Sequence, residues 1–63
     1  MTIDRGSPEG NVFFILGVFR RLMTEQGRDE EWPDLLEDAT SGDYAHTCEV
    51  VERESHGMIT FID

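Results

Sequence analysis

"GDYAHTCEVVERESHGMITFID", residues 42–63, admits two readings, and the choice between them sets the fold. In one, "CEVVERE" is a strand that turns back through "ESHG" into a second strand. In the other, Asp43 caps a helix whose Tyr44, Thr47, Cys48 and Val51 recur at i, i+3, i+4 and i+7, the spacing of one helical face. That periodicity favours the helix. Past Arg53 the pattern changes. "ESHG" then reads as a turn, and Met58, Thr60 and Ile62 alternate with Ile59 and Phe61 as they would in a short strand.

Immediately upstream, "DEEWPDLLEDATSGD", residues 29–43, carries seven carboxylates and no cation. Trp32, Leu35, Leu36 and Ala39 form a narrow apolar stripe at helical spacing, with Pro33 tolerable only in the first turn, where its missing N–H is not needed. Thr40, Ser41 and Gly42 are expected to end this helix, with Gly42 supplying a left-handed stop. Further back, Asn11 is placed to cap a helix from Val12 to about Gln26, with apolar positions 12, 15, 16, 19, 22 and 23 on one face and Gly27 just past its end. Gly17 in the middle weakens such a helix by about 1 kcal/mol relative to alanine, so a close approach of another backbone is expected there. Phe13 and Phe14 fall on opposite flanks of the main face. They imply a helix covered on several sides or, failing that, an apolar patch for a partner or a homodimer. "TIDR", residues 2–5, can form a strand, "SPEG" reads as a turn, and "TIDR" can pair with "MITFID". The expected fold is α+β: one domain spanning residues 1–63, three short helices and a two-stranded terminal β-pair.

At 63 residues the chain has room for one small core, burying about 60% of the surface its unfolded form exposes. Cys48 is the only cysteine, so no internal disulfide can assist. A hydrophobic fraction of 38% argues for a folded domain despite the charge. The start, "MTIDRGSPEG", has no signal-peptide pattern, and "VFFILGVF" is too short to cross a bilayer. The expected compartment is the cytoplasm, with no membrane partner.

Charge is divided unevenly. Residues 1–28 hold three acids and four arginines, whereas residues 29–63 hold eleven acids against Arg53, so the halves are near +1 and −10. A field of one sign attracts partners of the other, which implies a basic partner and disfavours direct binding to nucleic acid or an anionic membrane. On a helix, Glu30, Glu31, Asp34, Glu37 and Asp38 fall opposite the apolar stripe. The six acids from Asp29 to Asp38 would span roughly 14 Å, near one charge per ~2.5 Å, against about 1.7 Å for duplex DNA. Like-charge neighbours at 30/34, 34/37 and 34/38 destabilise the helix by roughly 0.2–0.5 kcal/mol each. Two explanations compete: a surface charged for solubility, or a binding face. The candidate binding residues are Asp29, Glu30, Glu31, Asp34, Glu37, Asp38, Asp43 and Glu52.

No catalytic constellation emerges. His46 and Cys48, two residues apart on a helix, diverge by about 200° and cannot grip one metal or act as nucleophile and base. Cys48 reads as a core residue. Glu52 and His56 are at i, i+4, but near a fraying end. Glu49 and Arg53 suggest a local ion pair, while Arg20 and Arg21 are expected to pair with the acidic helix or to solvate their face. No cofactor, metal or enzymatic activity is expected.

"GNVFFILGVFRRL" followed by "EDATSGDYAH" resembles small proteins encoded by bacteriophages and prophages, over roughly residues 10–47. After Cys48 the chain departs from that pattern. Size and acidity also resemble anti-CRISPR proteins, several of which mimic nucleic acid. The resemblance implies an inhibitor whose acidic surface blocks DNA binding by a host CRISPR effector, type I and in particular type I-C. The alternative is a phage structural or assembly accessory that binds through apolar surface, its acidity serving only solubility. In either case the chain is expected to be a monomer, with a homodimer through Phe13 or Phe14 as the other state.

Overall fold

The computed structural model describes the backbone of all 63 residues and every side chain except that of Glu9. Strand β1 (Thr2–Asp4) leads through a 3-10 turn at Pro8–Gly10 into α1 (Val12–Glu25). A second 3-10 turn, Asp29–Glu31, opens onto α2 (Trp32–Ala39), followed by α3 (Tyr44–Glu54) and β2 (Thr60–Ile62). The disputed stretch is therefore helical through Glu54, and the fold is α+β with three helices and one β-pair, as expected. β1 and β2 run parallel, with Thr2 opposite Thr60, Ile3 opposite Phe61 and Asp4 opposite Ile62. Parallel neighbours need a long crossover, and here all three helices provide it.

The local signals that set the helix ends are those the sequence carries. Asn11 accepts a bond from the Phe13 amide at 2.8 Å, and Asp43 accepts one from the His46 amide at 2.9 Å, each satisfying an orphan donor of a first turn. Gly27 takes the left-handed conformation (φ 73°) that ends α1, and the Arg28 amide returns to the Met23 carbonyl at 2.8 Å. Gly42 does not take it. The left-handed positions are Gly27, His56 and Gly57, and α2 ends because the Thr40 and Ser41 hydroxyls donate to the Leu36 and Asp38 carbonyls, each at 2.7 Å. Gly42 is small for another reason: a Cβ there would lie 3.1 Å from the His46 side chain.

Ile3, Ile15, Phe19, Met23, Leu35, Cys48, Val51 and Ile59 form the core, with Val18, Leu22, Trp32 and Phe61 packed around it. Phe19 meets Trp32 edge to face, ring centroids 5.4 Å apart. Val50, outside the expected stripe, is also fully buried, because α3 is covered by α2 on one side and by α1 and the strands on others. Cys48 is a core residue, as expected.

Two expectations for α1 are overturned. Nothing lies within 4 Å of the space a Cβ on Gly17 would fill, so no backbone approaches there. Phe13 is 82% exposed and Phe14 40%, so α1 is buried along one side only. The core is too small to wrap it: Ile15, Phe19 and Met23 occupy the one face the rest of the chain can reach. Among the described residues, no helix is long and apolar enough to cross a membrane.

Candidate functional site

The acidic segment is not one continuous α-helix. Asp29, Glu30 and Glu31 lie in the 3-10 turn, and α2 proper begins at Trp32 with Pro33 in its first turn. Leu35 and Ala39 are buried, Trp32 and Leu36 half-buried, and the carboxylates turn the other way. This is the division of labour that the stripe implies.

The carboxylates fall into two sets. Glu31 and Asp38, at the two ends of α2, are held by arginines. Arg28 grips Glu31 with two bonds, Nε to Oε2 and Nη2 to Oε1, both 3.0 Å. It also reaches across to α3, donating to the Glu54 carbonyl at 2.8 Å and to Glu54 Oε1 at 2.9 Å. Arg53 closes the other end, donating to Asp38 Oδ2 at 2.9 Å and to Glu54 Oε2 at 3.2 Å. Glu31, Arg28, Glu54, Arg53 and Asp38 thus form one chain of alternating charge that clamps α2 to α3. His46 Nε2 adds contacts to the Asp38 carbonyl at 3.0 Å and carboxylate at 3.4 Å. Arg28 holds the Glu31 and Glu54 carboxyls below the usual carboxylate range, with Arg53 contributing at Glu54, and both guanidiniums are pushed further up by these partners.

Glu30, Asp34 and Glu37 form the second set. All three are exposed and, among the described residues, have no hydrogen-bond or ion-pair partner. Asp34 and Glu37 are one turn apart on the same face. Asp29 stands with them, accepting among the described residues only the Thr24 hydroxyl at 2.7 Å, while Asp43 is occupied by its cap. The four acids Asp29, Glu30, Asp34 and Glu37 extend over roughly 14 Å, about one charge per ~4 Å. That is close to the ~3.4 Å spacing of phosphates along one strand and well short of the ~1.7 Å of the whole duplex. The charge row is about two-thirds as dense as the sequence alone suggests.

Glu52 lies elsewhere. With Glu49 it lines a cleft of about 250 Å³ whose other walls are Arg5, Ala45, Cys48 and Phe61. Arg5, in its wall, is ion-paired with Asp63. The expected Glu49–Arg53 pair does not form, because Arg53 turns to Asp38 and Glu54. Nor do Arg20 and Arg21 reach the α2 carboxylates: Arg20 lies over the Trp32 ring at 5.8 Å, and Arg21 meets Glu25 at 3.4 Å. Among the described residues, no group of three or more His, Cys, Asp or Glu side chains is placed to hold a metal ion.

No protein-family model matches the chain, and neither the curated proteins nor the solved structures contain a match to it.

Arg28 is the residue that sequence reasoning overlooked. Its signal was local, since Arg28 and Glu31 stand at i, i+3, a spacing that pairs opposite charges on a helical turn. Its bond to Glu54 has no such signal, because it depends on how α2 and α3 approach in space.

Proposed function

We propose that the chain is a non-enzymatic inhibitor that presents a rigid row of carboxylates to a basic nucleic-acid groove and so excludes nucleic acid. The proposed target, which rests on the resemblance to anti-CRISPR proteins, is a type I CRISPR effector in a bacterial cytoplasm. The observation that carries the reading is the unequal treatment of the acids on α2. Glu31 and Asp38 are tied down by Arg28 and Arg53, while Asp34 and Glu37 between them, and Glu30 just before, are left unpaired on a segment held at both ends. A helix of eight residues with like charges in adjacent turns is marginal by itself, and its immobilisation removes the ordering penalty that a flexible acidic tail would meet on binding. Neutralising every acid locally would serve stability better. Leaving Glu30, Asp34 and Glu37 without cations serves a partner that brings its own.

The test is binding to a purified effector complex over a salt series. Affinity is expected to fall steeply from low to moderate salt, target DNA to compete, and Asp34→Lys with Glu37→Lys to abolish binding while the fold is retained. Binding that ignores both salt and the double reversal would sink the proposal.

A second reading has its own observation. Phe13, 82% exposed, is a large apolar side chain placed in water, as expected of a phage assembly accessory that docks through apolar surface. That reading places the loss of binding at Phe13 and leaves the α2 reversals silent.

A further inference from the structure

We draw no further inference here: the strongest candidate, the cleft of about 250 Å³ between α3 and β2, brings together a lone cysteine, Cys48, and two exposed carboxylates, Glu49 and Glu52, with Arg5 already paired to Asp63, and nothing in the structure points to a ligand that would occupy it.

Discussion

Helix α1 removes Ile15, Phe19 and Met23 from water along 14 residues, whereas α2 has eight residues, buries Leu35 and Ala39, and relies on Arg28 and Arg53 at its two ends. The first is held by apolar burial, the second by burial supplemented with a guanidinium clamp. The difference follows from what each must display. A helix with an apolar face of full length can leave its outer side to any residue type. One whose outer side is a row of unpaired carboxylates carries its own repulsion and needs restraint from outside.

The contrast can be broken most forcefully at Phe19. Phe19→Ala removes the largest fully buried side chain and its edge-to-face contact with Trp32, the link between α1 and the start of α2. A loss of about 3–5 kcal/mol is expected, which for a domain of this size leaves a large unfolded fraction at 25 °C, readable by circular dichroism in a urea series. Both helices should melt together.

Arg28→Met tests the clamp. It strips the bonds to Glu31 and to Glu54, and its side chain is only 19% exposed, so screening by water and salt is incomplete. A loss of about 1–2 kcal/mol is expected, borne by α2 and the end of α3 more than by α1. The pH dependence carries a sign. Glu31 and Glu54 have folded values below their ordinary 4.5, so the stability they contribute is complete above that value and disappears as pH falls through the lowered folded values. The wild-type chain should therefore lose stability below about pH 4.5, and Arg28→Met should flatten that decline. A decline of equal slope in both proteins would mean that the clamp contributes nothing.

The smallest effect is expected at Glu37. Glu37→Lys relieves repulsion with Asp34 and places a cation near the negative end of α2, so stability should rise by about 0.2–0.5 kcal/mol. If the proposed function is right, partner binding falls at the same time. Opposite movement of stability and binding at one residue is the signature of a surface kept charged at the expense of its own helix.

Much of the fold was legible because its determinants are local. Asn11, Asp43 and Gly27 each act within a few residues of themselves, and the 44, 47, 48, 51 spacing correctly separated helix from hairpin. What escaped depends on residues far apart in sequence. The i, i+4 rule joins Glu49 to Arg53, but α2 brings Asp38 to Arg53 from 15 residues away, and the closer set of acceptors prevails. Likewise the orientation of the strand pair, the burial of Val50 and the openness around Gly17 are set by how three helices share one small core. At the candidate site the apolar stripe and the outward carboxylates were readable. The sorting of those carboxylates into bound and unbound was not, because it requires the position of α3.

The parallel strands have a consequence for how the molecule comes apart. The Thr60 amide donates to the Met1 carbonyl and the Arg5 amide to the Ile62 carbonyl, both at 2.8 Å, and the Thr2 and Thr60 hydroxyls meet across a separation of 58 residues. Closing a loop of that length costs roughly 3–4 kcal/mol of chain entropy on the (3/2)RT ln n scale, so the helices, built from near neighbours, can form before the ring shuts. The chain thus behaves as a clasped loop whose clasp is its last element to form and its first to open. Hydrogen exchange at Arg5 and at Thr60 should follow one shared opening, releasing Ile3 and Ile59 from the core together while α1 remains protected.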